Sequence, residues 1–353
     1  MEKLKKLRER FADAGVDGML ITSPVNRRYI SGFTGTAGAV LITAKDALFI
    51  TDFRYTEQAE AQVKGFKVIE MKGTMNAEIN QFIKELGIKH LGFEKLHVTF
   101  GEHESFKKVF ETELIPVGGI IEEIRLIKTD EELSIMKKAA QIADDAFEYI
   151  QTKIAPGVRE IEIANELEFF MRRQGATSSS FDIIVASGWR SAMPHGVASN
   201  KEIKSGELVT LDFGALYEGY CSDITRTVAV GEISDELDKI YHTVLEAQLR
   251  GVEGIKPGMT GKEADALTRD VINNAGYGKY FGHSTGHGLG MDVHEQPSLS
   301  HRTETKLVPG MVVTVEPGIY VPEVGGCRIE DDILITQNGN ERLTKSKKEL
   351  IHL

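Results

Sequence analysis

The stretch HSTGHGLGMDVHE, residues 283–295, sets His283, His287 and His294 on a backbone that also carries Gly286, Gly288 and Gly290, with Gly282 just before it. His283 and His287 are four apart, the spacing that puts two imidazoles on one helical face in HExxH metalloproteases. That arrangement is excluded here. No glutamate follows His283, and each glycine weakens a helix by about 1 kcal/mol relative to alanine, so the segment reads as loop and strand. Four acids recur at matching places elsewhere. Asp212 in VTLDFG and Glu316 in VTVEPG each end an apolar run of β character, and a second acid follows each after a turn, Asp223 in GYCSDITRT and Glu330 in GGCRIEDD. A hairpin would bring each pair to one face. Alternation along the second strands groups Asp223 with Thr225 and Thr227, and Arg328 with Glu330. Four carboxylates a few ångströms apart repel one another and raise their pKa values unless cations neutralise them, so the pattern points to a two-metal cluster. Oxygen-rich ligation with one or two imidazoles suits Mn²⁺, Co²⁺, Fe²⁺ or Zn²⁺.

The matching positions come from an internal duplication. IAPGV at 154 recurs as IKPGM at 255, and SGELVTLDFG at 205 recurs as PGMVVTVEPG at 309. Two similar α+β halves facing each other, with the site between them, follow from this. His195 in AMPHG and His294 occupy comparable places, one histidine from each half. Ahead of the duplication the chain alternates in α/β fashion: a helix over 2–13, strands at GMLIT, AGAVLIT and DALFIT, a helix from about Arg54, a strand at KVIEM, a helix around 77–86 and a strand at HLGFE. GTAG at 35–38 follows a strand-like segment but lacks the GxGxxG pattern of dinucleotide sites, so no nucleotide is implied. Thr129 and Glu132 form a capping box that opens a long helix. The expected domains are 1–125 and 126–353.

Composition narrows the partners. At 353 residues and 41% hydrophobic content the chain can bury two sizeable cores, and its net charge of −11 argues against a nucleic-acid partner. Cys221 and Cys327, the two cysteines, are too few for a disulfide framework and fit a reducing compartment; both read as packing residues. No apolar run reaches signal-peptide or membrane-span length. The expectation is a cytoplasmic protein acting on small substrates, with no membrane partner.

Taken together, LDFGALYEGYCSDITRT, GHSTGHGLGMDVHE, VEPGIY and GGCRIEDD resemble the successive signatures of the Xaa-Pro peptidases, the prolidase and aminopeptidase P family. NRRYISGFTGTAGAVLI and TDFRYTEQA resemble the creatinase-like N-terminal domain that accompanies them, so the likeness covers nearly the whole chain. The resemblance implies a pita-bread catalytic domain of two pseudo-symmetric halves behind a smaller α/β domain, and a homodimer. It makes Asp212, Asp223, His287, Glu316 and Glu330 the ligands of two divalent ions, Mn²⁺ first, with Asp223 and Glu330 bridging. Glu316 would act as general base, His294 and His195 would serve catalysis, His283 and Tyr320 would contact substrate, and Arg328 would support a ligand carboxylate. The implied reaction is hydrolysis of Xaa-Pro bonds in small peptides, in the manner of a dipeptidase. Aminopeptidase P activity on longer peptides is the alternative, because HEQPS carries Ser298 where some prolidases have an arginine for the dipeptide's carboxylate; Arg302, Arg54 or a residue from a partner subunit would have to serve instead. A methionine aminopeptidase is disfavoured by the N-terminal domain, and a non-catalytic binding protein by the intact ligand set.

Overall fold

The computed structural model describes residues 2–353. The chain divides into two compact units, the first ending at Arg125 and the second spanning Leu126–Leu353.

The first unit is built on a six-stranded mixed sheet. Strands Gly18–Ile21, Ala39–Thr43 and Ala47–Thr51 run antiparallel at its centre; Lys67–Glu70 joins one edge in parallel, His90–Glu94 and then Glu113–Val117 the other. The three central strands are buried at nearly every position, as their continuous apolar runs require when both faces are covered. Two local expectations are corrected. The opening helix is broken into Glu2–Glu9 and Phe11–Ala14, and ends at Gly15 in the left-handed conformation, although Leu4, Leu7 and Phe11 do share a buried face. The segment before GTAG is a helix, Pro24–Ser31. Ser23 caps it by accepting from the Asn26 backbone N–H, and Pro24 occupies its first turn, where the missing N–H costs nothing. Cap chemistry decides that segment over its strand-like composition.

The second unit repeats one plan twice. In the first half, helices Asp130–Ile150 and Glu160–Arg173 precede strand Glu207–Phe213, which pairs antiparallel with Ile184–Ser187 on one side and Ile224–Val230 on the other. In the second, helices Asp235–Gly254 and Gly261–Asn274 precede strand Val312–Val315, flanked by Gly286–Gly288 and Asp331–Ile335. Each central pair is separated in sequence by a small hairpin, Ala215–Tyr217 with Tyr220–Cys221 and Gly318–Val321 with Gly325–Arg328. The Thr129 and Glu132 capping box is present with both of its hydrogen bonds.

Strand alternation then sorts the side chains. Val209, Leu211 and Phe213 pack with Ile142, Ala146, Leu167 and Met171 of their half's helices, and Val313 and Val315 pack with Ala264, Leu299 and Ile333 in the other. Burying one such large apolar side chain stabilises the fold by about 1.5–3 kcal/mol. The opposite faces carry Thr210 with Asp212 and Thr314 with Glu316, so packing the helices delivers the acids to the other side. A closing segment completes the first half: the Ala229 N–H donates to the Ile351 carbonyl and the Gly231 N–H to that of Leu353. Arg226, 1% exposed, reaches the Ser346 and Lys347 carbonyls as well as Asp331.

Gly214 lies where the first half's strands turn into their hairpin, and a Cβ there would stand 1.8 Å from the Ser222 carbonyl oxygen. Backbone must move to admit it, so Gly214→Ala should cost about 1–3 kcal/mol, as overpacking does. At Gly339 a Cβ meets nothing, and Gly339→Ala should change stability by no more than about 0.5 kcal/mol. Thermal unfolding of both variants beside the wild type checks the contrast.

Candidate metal centre

Asp212 sits at the penultimate position of strand Glu207–Phe213, directly opposite Thr225, while Asp223 immediately precedes the partner strand. Glu316 follows Val312–Val315 and Glu330 precedes Asp331–Ile335, in the corresponding places of the second half. The two halves are then tied to each other. Thr225 Oγ1 donates to Glu330 Oε2 at 2.6 Å, and the Glu330 N–H donates to the Thr225 carbonyl at 3.1 Å. Oxygens of Asp223 and Glu330 and a ring nitrogen of His287 lie within 4.8 Å of one another.

His287 is oriented by its own strand. Its Nδ1 is 3.0 Å from the Gly288 carbonyl; a carbonyl only accepts, so the proton sits on Nδ1 and the Nε2 lone pair is free. Nε2 lies 3.2 Å from Glu316 Oε1 and 3.8 Å from Asp223 Oδ2. The neighbouring glycines are explained by close approach. A Cβ at Gly286 would be 2.0 Å from the Thr314 carbonyl oxygen, and one at Gly288 2.0 Å from that of Gln296. Only glycine lets the strand carrying His287 lie this close to its two neighbours.

The electrostatics demand a counter-charge. Burial, then the charges of Glu330 and Asp212, pushes the Asp223 carboxyl well above the ordinary carboxylate range. Burial, then Glu316 and Asp212, does the same to Glu330, and burial carries Glu316 up to about 8. Asp212 Oδ1 and Asp223 Oδ1 are buried without a hydrogen-bond partner, a costly state for a carboxylate. Only part of the charge is answered within the protein: Arg328 Nη2 pairs with Asp212 Oδ2, its Nε donates to Thr225 Oγ1 and its Nη1 to the Tyr320 hydroxyl. Orphaned oxygens, mutually repelling carboxyls and one free imidazole lone pair fit divalent cations of the oxygen- and nitrogen-binding kind.

A cavity of about 500 Å³ opens over this floor. Nine of the ten site residues read from the sequence line it, including the exposed His195 and His294. Tyr320 does not. It is 8% exposed, and its hydroxyl is held between Arg328 Nη1 and His283 Nε2, each 2.8 Å away. His283 Nδ1 faces the Ser284 carbonyl at 2.8 Å, so Nε2 accepts the Tyr320 O–H. Burial first, then the positive charge of Arg328, pushes the His283 imidazole down to about 4, leaving it neutral at pH 7. Arg302 and Arg54 are absent from the cavity lining and Ser298 is in it.

Sequence reasoning missed the walls: Phe181, Asp182, Ile184, Pro194, Val197 and Val293 also line the cavity. Asp182 and Ile184 were findable, since they share a face two residues apart in the run that ends in IVAS. It also missed what steadies the acids from behind. Asp332 Oδ2 accepts the Asp223 N–H at 2.9 Å, and Arg226 Nη1 donates to the Glu330 carbonyl. Burial pushes the neighbouring Asp331 carboxyl up, but Arg226 and Lys348 outweigh it and hold it below its ordinary value. Cys221 and Cys327 are free and buried, with burial raising both thiols to about 12, which suits packing and not reactivity.

Comparison with known proteins gives a consistent result. Residues 134–337 match metallopeptidase family M24, and residues 3–127 match the creatinase/prolidase N-terminal domain. The structure resembles that of an Xaa-Pro dipeptidase from Bacillus anthracis, 62% identical, with a TM-score of 0.99 over 100% of this chain and 99% of that one. It resembles a prolidase from Pyrococcus horikoshii, 45% identical, with a TM-score of 0.94 over 99% and 100%. An X-Pro aminopeptidase from Thermotoga maritima is 40% identical, with a TM-score of 0.91 over 96% and 98%. The pita-bread architecture expected from the resemblance is the one these relatives share. With the family matched over the larger part of the chain and its relatives aligned almost end to end, this protein belongs to metallopeptidase family M24 and carries a creatinase-type domain ahead of its catalytic unit.

Proposed function

We propose that the chain is a metal-dependent Xaa-Pro dipeptidase, with Asp212, Asp223, His287, Glu316 and Glu330 holding two divalent ions. The observation that carries this is the meeting of acids from both halves around the free Nε2 of His287, with Asp212 Oδ1 and Asp223 Oδ1 left unpaired. Relatives whose names are Xaa-Pro dipeptidase or prolidase support the substrate class. When bound, the ions neutralise the carboxylates, polarise the scissile carbonyl and bring the pKa of the attacking water from 15.7 toward about 7. The chain's own residues do the rest. Glu316, steadied by Thr314 Oγ1 at 3.1 Å, takes the proton from the attacking water and passes it to the proline nitrogen. His294 and His195, exposed in the cavity, donate to the carbonyl oxygen as it gains charge and hold the substrate. Arg328 fixes Asp212 and, through Tyr320, the neutral ring of His283, with which the substrate makes contact.

A second reading, aminopeptidase P, has one observation in its favour. Among the described residues lining the cavity, Arg328 is the sole arginine and is committed to Asp212, while Ser298 stands where an arginine would hold a dipeptide's carboxylate. The X-Pro aminopeptidase relative belongs to the same argument. Assays on Ala-Pro, Ala-Pro-Ala and Ala-Ala separate these readings. The dipeptidase cleaves Ala-Pro faster than Ala-Pro-Ala, and Ala-Ala at least about tenfold more slowly, since the site selects a proline ring by shape. Preference for Ala-Pro-Ala would select the aminopeptidase. The finer parts of the reading are Mn²⁺ as the native ion, a cytoplasmic location fitting two free buried cysteines, and a homodimer. Light scattering at twice the 39.0 kDa chain mass supports the last.

Chelation should abolish turnover, and Mn²⁺ or Co²⁺ should restore it. Because binding to the folded state alone stabilises by about 2.7 kcal/mol at a free concentration one hundred times Kd, the stripped protein should also melt at lower temperature. Equal melting points with and without metal would count against the carboxylates as its holders.

His287→Ala should lose bound metal. His294→Ala should retain it and lose about 10²–10³ in kcat, the range for removing one donor to a developing oxyanion. Elemental analysis and kinetics on the same preparations test the two roles, and an equal loss of metal in both variants would refute the assignment.

A further inference from the structure

The charged residues lining the cavity are Asp212, Asp223, Glu316, Glu330, Arg328 and Asp182. The first five are engaged with one another at its floor. Asp182 is different. It is exposed, lies outside the cluster, and among the described residues has no hydrogen-bond or ion-pair partner. Phe181, Ile184, Pro194 and Val197 line the same cavity, as does His195. An unpartnered carboxylate in a cavity that also offers these apolar side chains is the complement of a long side chain that lays its methylenes on hydrocarbon and keeps a cationic head at the end.

The register of the strands bounds how far Asp182 stands along the chain from the reacting centre. Ile184 is the direct partner of Asp212, and Asp182 is two residues earlier, about 7 Å along extended chain. A substrate's α-ammonium group is bonded to the carbon that bears the scissile carbonyl, so it stays with that carbonyl at the floor. A side chain on the same carbon is what spans the remaining distance. Proline and its carboxylate offer Asp182 nothing positive and would be repelled by it, which directs the leaving residue away from Asp182 toward other lining residues such as Val293, His294 and Ser298.

We infer that Asp182 is a specificity-determining residue that selects a lysine or arginine side chain before the scissile bond and sets the direction in which the peptide lies. This rests on the Xaa-Pro peptidase reading above. Steady-state kinetics of the Mn²⁺-loaded enzyme on Lys-Pro, Ala-Pro and Glu-Pro test it. Each exposed charge contact is worth about 0.2–1 kcal/mol, and attraction for one substrate adds to repulsion of the other. Wild-type kcat/KM for Lys-Pro should therefore exceed that for Glu-Pro by about two- to thirtyfold, with the ratio shrinking in 0.5 M salt as screening removes it. Asp182→Asn should bring the ratio to within about twofold of one, and Asp182→Lys should invert it. A wild-type ratio near one, or a Lys-Pro preference that survives in Asp182→Asn, overturns the inference. An equal fall on all three substrates with the ratio unchanged also overturns it, assigning Asp182 to the α-ammonium group or to structure. Even if both variants fail to fold, a wild-type ratio near one overturns the inference. Failure of the wild type on every Xaa-Pro substrate would overturn the peptidase reading itself, and this inference with it.

Discussion

Four carboxylates buried within a few ångströms of each other repel, and the fold must hold them there against that repulsion. Each half supplies two of them by the same device. A strand ends in one acid, a small hairpin reverses the chain, and the returning strand begins beside the second acid. The helices behind each sheet supply the opposing free energy, since every apolar residue they bury on one strand face commits the acids to the other. Hydrogen bonds between halves, Thr225 to Glu330 and Arg328 to Asp212, set the distance. The remaining charge is left for cations to neutralise, and so the cluster is strained without them and complete with them.

This constraint also accounts for the neutral groups around the floor. His283 lies beside Arg328 in a buried setting, where a second positive charge would be costly, and its hydrogen bonds to Tyr320 and Ser284 keep it in one neutral tautomer. Arg328 thereby connects an acid of the first half, a tyrosine and a histidine in one chain of contacts, each orienting the next.

Much of the fold and site was legible in the sequence because duplication makes rare residues coincide. Asp212 and Glu316 at equivalent strand ends, each followed by a second acid, are a pattern a single copy could not have supplied, and the glycines around His287 ruled out a helix by elementary propensity. What escaped had weaker local signals. The helix Pro24–Ser31 was hidden by tyrosine and isoleucine in a short segment, although Ser23 and Pro24 announced it. The helix Phe100–Val109 was passed over despite the Thr99 and Glu102 capping box. Tyr320 was expected to meet substrate, yet its alternation within Gly318–Val321 says only which face it takes; Arg328 and His283, distant in sequence, fix its hydroxyl. The cavity walls escaped because Phe181 and Val197 carry no chemistry of their own.

The segment that closes the first half has a consequence for how the protein folds. Arg226 precedes by 120 and 121 residues the Ser346 and Lys347 carbonyls it reaches, and the end of its strand gains edge partners from Ile351 and Leu353. Without those residues the buried guanidinium keeps Thr225, Glu330 and Asp331 but lacks its two remaining carbonyl acceptors. The first half therefore cannot close its edge or satisfy this guanidinium without chain that follows the second half, and the two halves fold as one cooperative piece rather than one after the other.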